Sequence, residues 1–521
     1  MTLPTERPWK LWLILITLVS LGLACRKTPN PLVLQGYPTV PPDVGLTQTA
    51  AVPPAAATPG MYGNYLPMAR RDGDPTILTP TPDAPRTLPT LRTETEEYVV
   101  QVGDSLGSIA SRYGVSLDAI VAANGLANPN IVTPGQVLQI PAPQPGASGA
   151  GFKIIPDSEL VYGPRSAELD IAAFVRQYDS YLARYQEDVE GQALTGIQIV
   201  ERVAREQSVN PRLLLAVLEY QSGWITQANP DTSTRQFPIG FRDAWHEGLY
   251  SQMSWAANNL NRGYYLWQVN AVGAWLLADG SIAPVDGRIN AGTAGVQQMF
   301  ALLYDRGRWD QAVSSQGLYA TYAGLFGYPF DYAVEDLTPA GLEQPAMQLP
   351  FEDGVLWAFT GGPHGGWADG SAWAALDFAP DVRGCEVRYE WVTAVADGLI
   401  LRAENGAVVQ DLDGDGNEGT GWTVLYMHIA ASERVSAGAY LEAGDRIGHP
   451  SCEGGYSTGT HLHLARRYNG EWIPADQDIP FDLDGWISSG TGIAYDGYLS
   501  REGLTIEAWE GFYSNNTLSR P

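Results

Sequence analysis

A proline-rich stretch near the amino terminus limits most strongly what the rest of the chain can fold into. Residues 26–96 contain segments such as TVPPDVG, AVPPAAATPG and LTPTPDAPRTLPT. They show no hydrophobic period of 3.6 or 2 residues, so they cannot bury a core. In polyproline II form, at about 3.1 Å per residue, the stretch reaches on the order of 200 Å. We therefore predict a linker here, with compact domains after it.

The segment before the linker carries an export pattern. Arg7 and Lys10 precede the apolar run LWLILITLVSLGLA, which ends at Cys25. This run is shorter than the roughly 20 residues that cross a bilayer as a helix. Residues 1–25 resemble a bacterial lipoprotein signal, which implies export and lipid attachment at Cys25. Ordinary cleavage and an uncleaved anchor are the alternatives, because GLA at 22–24 departs from the usual order of that signal.

Length and charge restrict the number of domains and the class of partner. The chain has 521 residues, more than a single core usually supports, so three or four domains are expected. Its formal net charge is −27, from 58 acidic and 31 basic residues. Such a chain repels polyanions, so we expect no nucleic-acid partner.

The first predicted domain covers residues 97–141. A short strand begins at Tyr98, Asp104 or Ser105 caps one helix, Ser116 caps a second, and GQVLQIP forms a closing strand. With the motifs VGDSLGSIA, ANGLANPN and PGQVLQIP, this β-α-α-β order resembles the lysin motif (LysM), which implies binding of N-acetylglucosamine-containing glycans. The alternative is a small domain that has lost sugar binding. The resemblance implies a groove lined by Gly103, Asp104, Ser105, Leu106, Asn130, Ile131 and Val132.

A second linker, APQPGASGAG at 142–151, leads into a region at 152–345 that is predicted to be mostly helical. One helix is sharply defined. Asn210 is its predicted N-cap, Pro211 its first residue, RLLLAVLEYQ its body and Gly223 its stop. It is apolar on nearly all sides, which predicts a buried helix.

The same region resembles lysozyme-like lytic transglycosylases in two segments, LLLAVLEYQSGWI and INAGTAGVQQMF. In that family a catalytic glutamate immediately precedes the serine, but Gln221 holds that place here and Glu219 lies two residues earlier. Glutamine cannot protonate a glycosidic oxygen. We therefore predict a non-catalytic or glycan-positioning domain, with catalysis by Glu219 and an unrelated helical spacer as alternatives.

Residues 346–521 contain polar side chains at alternating strand positions. In GTHLHLARRYNGEW, His461 and His463 share one face of a strand, opposite two leucines. Asp377 points away from its core-facing neighbours, and WTVLYMHI is predicted to be a strand that carries His428 on the face of its Tyr426. His364 lies in a glycine-rich loop before the Asp377 strand. One carboxylate and several imidazoles form the ligand set of a catalytic zinc.

These positions, within residues 351–480, resemble the lysostaphin-like and β-lytic zinc endopeptidases that cut peptide bridges in bacterial cell walls. The resemblance implies that His364, Asp377 and His463 bind Zn²⁺ and that His461 and His428 form the catalytic pair. The interval of 13 residues from His364 to Asp377 resembles the β-lytic branch.

Two further features are predicted to be structural. Cys385 and Cys452 are the cysteines that follow Cys25, and in an exported chain they are expected to form a disulfide. The segment DLDGDGNEGTGW places aspartates at alternate positions, which indicates either a Ca²⁺ loop or a solvated hairpin turn. The candidate calcium ligands are Asp411, Asp413 and Asp415.

The predicted fold is therefore multidomain: a small β-α-α-β LysM, a mostly α middle domain and a mostly antiparallel β metallopeptidase domain with a C-terminal extension. The predicted function is that of a zinc metalloendopeptidase that hydrolyses peptide bonds in peptidoglycan. Glycan strands and peptide bridges are its expected partners, and the membrane at the cell envelope is its expected anchor. The alternative is a non-catalytic peptidoglycan-binding or activator module of a wall-remodelling complex.

Overall fold

The structure, a computed structural model, describes residues 92–520 apart from a few short gaps. The gaps are 102–103, 114, 127, 129–131, 143–148, 335, 382–383 and 387. The predicted export signal, Cys25 and most of the first linker therefore lie outside the described residues, as do Gly103, Asn130 and Ile131. Within the described part, no helix is long and apolar enough to cross a bilayer.

The LysM region has the predicted β-α-α-β order and a core of its own. Its elements are β1 (Glu96–Val99), α1 (Leu106–Tyr113), α2 (Leu117–Asn124) and β2 (Val137–Ile140), and the two strands pair antiparallel. The Ser105 hydroxyl accepts from the Ser108 N–H, and the Ser116 side chain accepts from the Ala119 N–H. Both serines thus satisfy backbone donors that a helix start leaves unpaired. Ile109, Ile120 and Leu138 lie in the core.

The middle region is mostly helical, as predicted. Its helices are α3 (Ile171–Val175), α4 (Gly196–Gln207), α5 (Pro211–Ser222), α6 (Leu249–Gln268), α7 (Ala291–Ala301), α8 (Arg306–Ala312) and α9 (Leu318–Phe326). Two short hairpins accompany them: β3 (Gln186–Val189) with β4 (Gln192–Thr195), and β5 (Ala274–Leu276) with β6 (Ile282–Pro284). Helix α5 begins and ends as predicted, because Asn210 accepts from the Arg212 N–H and Gly223 adopts a left-handed conformation.

The carboxy-terminal region is built on antiparallel strands, which confirms the predicted fold class. The strands are β7 (Trp357–His364), β8 (Ala375–Ala379), β9 (Val392–Thr393), β10 (Gly398–Glu404), β11 (Ala407–Asp411), β12 (Trp422–Met427), β13 (Tyr440–Leu441), β14 (Arg446–Gly448), β15 (Leu462–Tyr468), β16 (Glu471–Trp472), β17 (Asp482–Leu483), β18 (Trp486–Gly490), β19 (Gly497–Arg501), β20 (Leu504–Glu507) and β21 (Thr517–Leu518). The large sheet has the order β13-β10-β11-β12-β15-β8-β7-β21, with β16 paired to β15. A second sheet, β17 to β20, belongs to the C-terminal extension.

The two faces of the large sheet pack against different partners. Leu376, Leu464 and Tyr426 point into a core formed within the carboxy-terminal region itself. Their neighbours on the opposite face, such as Leu425 and Ala465, belong to the same apolar core as the middle-domain helices. The middle and carboxy-terminal regions therefore share one continuous core, which the sequence analysis did not predict.

Polar contacts reinforce this shared interface at Glu471, which is almost fully buried. Its carboxylate accepts from the Tyr264 hydroxyl at 2.5 Å and from the Gln268 amide at 2.6 Å, and the Thr338 hydroxyl also donates to it. Three donors satisfy a carboxylate that would otherwise carry a large desolvation cost. The interface is thus specific as well as apolar.

Candidate metal centre

Strands β8 and β15 bring an aspartate and a histidine together. They pair with Asp377 directly opposite His463. As predicted from the alternation, Leu462 and Leu464 point to the other face, into the core of the carboxy-terminal region. Directly opposite residues in an antiparallel pair have Cβ atoms about 4.5–5.5 Å apart, so the two polar side chains meet on the same face.

His364 joins them from β7. The glycine-rich sequence predicts a loop at His364, but this residue is the last one of the strand. The pairing of β7 with β8 shifts register on either side of Gly361. A Cβ atom at Gly361 would lie 2.7 Å from Oδ2 of Asp377, so only glycine leaves room for the carboxylate. The irregular strand end, rather than a loop, positions His364.

Three potential ligand atoms converge at this point. Nε2 of His364 lies 3.0 Å from Nδ1 of His463 and 3.2 Å from Oδ1 of Asp377. The remaining pair, Nδ1 of His463 and Oδ1 of Asp377, is 3.3 Å apart. For ligands about 2.0–2.1 Å from a tetrahedral zinc, neighbouring ligand atoms are about 3.3 Å apart. The separations therefore fit a zinc ion.

The outer nitrogens of the two histidines fix their tautomers. Nδ1 of His364 lies 2.8 Å from the Gly362 carbonyl, and Nε2 of His463 lies 2.9 Å from the Gly366 carbonyl. A carbonyl only accepts, so each outer nitrogen carries the proton and each inner nitrogen of a neutral ring has none. Two lone pairs and a carboxylate oxygen thus face one another without a proton among them, an arrangement that a cation satisfies.

The environment of Asp377 agrees with this assignment. The carboxylate is buried, and its Oδ1 has no hydrogen-bond donor among the described residues. A buried, charged oxygen without a donor is costly unless a cation is present.

His428 reaches the centre by a route that the strand alternation did not predict. Strand alternation predicts that His428 lies on the same face as Tyr426 in one continuous strand, and this prediction is wrong. Strand β12 ends at Met427, and His428 has a left-handed backbone with φ of 65°. The break in alternation separates His428 from Tyr426, which is buried in the opposite core. Left-handed backbone is uncommon outside glycine, and here it turns the His428 side chain towards the other histidines.

His428 and His461 form a second pair beside the three ligand atoms. Their ring centroids are 4.4 Å apart, and Nε2 of His461 lies 3.8 Å from Oδ1 of Asp377. Nδ1 of His428 donates to the Glu453 carbonyl at 2.9 Å, and Nδ1 of His461 donates to the Gly459 carbonyl at 2.7 Å. Burial lowers the pKa of His428 to about 3. Each ring therefore keeps Nε2 as its proton acceptor.

Tyr495 was missed by the sequence analysis. It lies between β18 and β19 in the C-terminal extension, and its ring stacks on His364 with centroids 4.1 Å apart. Its backbone N–H donates to the Pro363 carbonyl, and its φ is 68°. No motif in the sequence signals this residue, because its position depends on how the second sheet packs.

A disulfide ties two loops near this centre. Cys385 and Cys452 are bonded, as the sequence analysis expected. Thr460, the residue before His461, accepts from the Glu386 N–H and donates to the Glu386 carbonyl. The disulfide and the threonine together hold the 384–386 segment against the strand start that carries His461.

The other predicted sites have structural contacts of their own. The Asp104 carboxylate accepts from the Tyr98 hydroxyl, and the Leu106 side chain is buried in the LysM core. Val132 packs partly against the same core. A glycan-binding role for Asp104, Ser105, Leu106 and Val132 stays a prediction, and for Leu106 it would fall to the backbone.

The Asp411 loop is held together by its own hydrogen bonds. Asp411 is buried and accepts from the backbone N–H groups of Asp413 and Gly416, and Asp415 accepts from the Thr420 hydroxyl. One oxygen from each of Asp411, Asp413 and Asp415 lies within 4.8 Å of the others. These contacts fit a hairpin turn and leave calcium binding as a prediction.

Each region of the chain matches a protein-family model. Residues 98–141 match the LysM domain, residues 153–339 match the LasA N-terminal domain, and residues 383–474 match peptidase family M23. The M23 match includes His428, His461 and His463 and begins after His364 and Asp377. For the middle domain, which resembles lytic transglycosylases in two segments, the family match is thus to the LasA N-terminal domain.

The chain is also similar to known proteins over part of its length. Protease LasA of Pseudomonas aeruginosa is 27% identical over 290 residues, which cover 51% of this chain and 64% of LasA. Beta-lytic metalloendopeptidase of Achromobacter lyticus is 28% identical over 191 residues, which cover 34% of this chain and 47% of that protein. The chain thus spans less than two thirds of the length of either relative.

The beta-lytic metalloendopeptidase of Lysobacter enzymogenes is 26% identical over 189 residues, which cover 34% of this chain and 98% of that protein. Among solved structures, the M23 metalloprotease pseudoalterin is 24% identical and covers 33% of this chain and 99% of its own, with a TM-score of 0.27. By sequence, the regions of the chain thus match the models of the LysM domain, the LasA N-terminal domain and peptidase family M23 in turn, and the chain is similar to LasA and the beta-lytic metalloendopeptidases.

Proposed function

We propose that the chain is a cell-wall-associated zinc metalloendopeptidase that hydrolyses peptide bonds in peptidoglycan and is held on its substrate by the LysM domain. One observation carries this proposal: two proton-free histidine nitrogens and an unpartnered carboxylate oxygen lie 3.0–3.3 Å apart. His364, Asp377 and His463 would hold the zinc. The names of the relatives, a protease and two metalloendopeptidases, support the same class of reaction.

The two remaining histidines supply the proton transfers. Bound zinc acts as a Lewis acid that makes water nucleophilic at neutral pH. Either His461 or His428 accepts the proton of the attacking water at Nε2, since Nδ1 of each ring already donates to a carbonyl. The partner imidazole can stabilise the oxyanion only if it carries a proton at Nε2 and is therefore charged. The proton finally passes to the leaving amine.

The location of the protein is part of the proposal. LysM and a LasA-like domain arrangement support a place outside the cytoplasm, where peptidoglycan is found. Lipid attachment at Cys25 would then tether the folded region to the membrane through the proline-rich linker. Secretion without lipid is the alternative.

Digestion of purified peptidoglycan tests the proposed function. The zinc-loaded chain should release peptides with new amino termini, identified by mass spectrometry, and should contain one zinc per chain. His463→Ala removes a ligand and should lose both the metal and the activity. A parent chain that binds zinc but produces no new termini would favour the binding or activator module instead.

A further inference from the structure

The metal ligand His463 is held in place by a short loop between β7 and β8. Its outer nitrogen donates to the Gly366 carbonyl at 2.9 Å. The loop closes on itself, because the Gly366 N–H donates to the Ala372 carbonyl and the Ser371 hydroxyl donates to the Ala368 carbonyl. Since these hydrogen bonds tie the tip of the loop to its base, whatever positions the tip also positions the carbonyl that orients His463. Partners that orient a metal-bound histidine tune its affinity for the metal.

Helix α6 of the middle domain grips the tip of that loop. The Gly370 N–H donates to Oδ1 of Asn258 at 2.8 Å, and Nδ2 of Asn258 donates to Asp369 at 2.6 Å. Arg262, one turn further along the helix, lies 3.7 Å from the same carboxylate. A Cβ atom at Gly370 would lie 1.9 Å from the Asn258 carbonyl, so the backbone of the loop is in direct contact with the backbone of α6.

The loop also packs against Trp472 of β16, which the middle domain holds in place. A Cβ atom at Gly366 would lie 2.4 Å from the ring of Trp472, so the loop rests directly on this buried indole. Trp472 is in turn held by two residues of the middle domain. Its backbone N–H donates to the Tyr265 hydroxyl at 2.9 Å, and its indole N–H donates to the Gln207 carbonyl. The loop is therefore clamped between α6 and a tryptophan that the middle domain fixes.

We infer that Asn258 is a positioning residue for the metal centre. Through its two hydrogen bonds to Asp369 and Gly370, which we call the bracket, the middle domain fixes the loop that orients His463 and so sets the affinity for zinc. This rests on the proposed function, because the metal is the zinc proposed above. The middle domain then acts as part of the support of the peptidase centre, whether or not it binds glycan. Asn258 is itself none of the three proposed metal ligands.

A charge exchange in the full-length chain tests this role. Asn258→Asp places two carboxylates side by side and should raise the zinc dissociation constant about tenfold, as loss of outer support does at other metal sites. The double variant Asn258→Asp with Asp369→Asn rebuilds the bracket with donor and acceptor exchanged and should restore the parent constant. The constant is measured by competition with a chromogenic chelator, with zinc as the only added ligand.

A matched control removes a different contact between the same two regions. Gln192→Ala deletes the hydrogen bond from Gln192 to Asn405, which lies on the β10–β11 hairpin, and should leave zinc affinity unchanged. Melting of the zinc-free chains separates general destabilisation from loss of metal. If the parent binds zinc and Asn258→Asp binds it equally tightly, or if the double variant fails to recover, the positioning role is overturned while the proposed function stands. A parent chain that binds no zinc would overturn the proposed function itself.

Discussion

Nε2 of His364 lies 3.0 Å from Nδ1 of His463, although 99 residues separate the two along the chain. Both nitrogens lack a proton, because the opposite nitrogen of each ring donates to a backbone carbonyl. In water or in an apolar core, two such lone pairs would repel each other. Their close approach, next to a buried carboxylate oxygen, is the feature from which the proposed metal centre follows.

The division of roles among the histidines gives a first prediction. His428→Ala and His461→Ala leave all three proposed ligands in place, so both variants should retain one zinc per chain. Each should lose on the order of 10²- to 10⁴-fold in the rate of wall-peptide cleavage, the usual contribution of a positioned acid or base. Zinc content and initial rates, measured on the same preparations, check this. An unimpaired rate in His461→Ala would remove that residue from the mechanism.

The left-handed backbone at His428 gives a second prediction. Glycine and alanine both delete the imidazole, but only alanine keeps a Cβ atom in a conformation that costs an L-residue roughly 1–2 kcal/mol. After allowance for the greater flexibility of unfolded glycine, His428→Gly should be about 0.5–1 kcal/mol more stable than His428→Ala. Urea unfolding measures the difference. Met427 lies in regular strand and serves as the control. There the order should reverse, and Met427→Ala should be more stable than Met427→Gly.

A third prediction concerns acid stability and Glu418. This buried carboxylate contacts Arg402 at 2.7 Å and Arg467 at 3.3 Å. Burial raises its pKa, but the two arginines outweigh burial and hold the pKa at about 2. Because the folded pKa lies below the unfolded one, the stabilisation is complete above about pH 4.5 and disappears as the pH falls through about 2.

Glu418→Gln should therefore cost about 3 kcal/mol at pH 7, since it leaves two buried guanidinium groups without their carboxylate. The difference from the parent should shrink steadily between pH 4.5 and pH 2. Urea unfolding at several pH values measures both effects. The exposed Glu442→Gln serves as control and should behave like the parent. A pH-independent cost for Glu418→Gln would contradict the ion-pair explanation.

The middle domain gives a fourth prediction. Glu219 accepts from the backbone N–H groups of Ile225 and Thr226, and it therefore holds the turn that follows α5. Gln221 is bonded to Tyr304 and to the Ile239 carbonyl. Gln221 has no acidic proton to give, and the Glu219 carboxylate is already engaged by two backbone N–H groups. Glycan strands treated with the full-length chain should therefore show no anhydro-sugar ends. Mass spectrometry detects such ends, and their loss in Glu219→Gln would establish a catalytic role.

The Asp411 loop gives a fifth prediction. Burial and the flanking carboxylates Asp411 and Asp415 raise the pKa of Asp413, a repulsion that a divalent cation would relieve. Calcium added to the zinc-loaded chain should therefore raise its melting temperature, and Asp411→Asn should abolish the increase. Equal melting with and without calcium would leave the hairpin turn as the explanation of the aspartate spacing.

Local rules were sufficient for some elements and insufficient for others. Helix α5 was predictable because Asn210, Pro211 and Gly223 act on their immediate neighbours. The shared face of His461 and His463 followed from strand alternation. The position of His428 did not, because a single left-handed residue breaks that alternation.

Such local rules cannot predict contacts between segments that are distant in the sequence. Tyr495 stacks on His364 only because the second sheet packs against β7, and the bracket at Asn258 exists only because α6 lies along the β7–β8 loop. Periodicity reports which face of an element is apolar, but it does not say what covers that face. For this reason the core shared by the two larger regions was not visible in the sequence.

The shared core also decides how this chain can be rearranged by recombination. The LysM region encloses its own core, so it can be lost, duplicated or exchanged as a cassette without opening another apolar interior. A crossover near residue 345 would instead cut through one apolar interior and leave both fragments with an uncovered face. Lineages that inherit this peptidase with such an interface should inherit its helical companion with it, and chimaeras should be joined before residue 150.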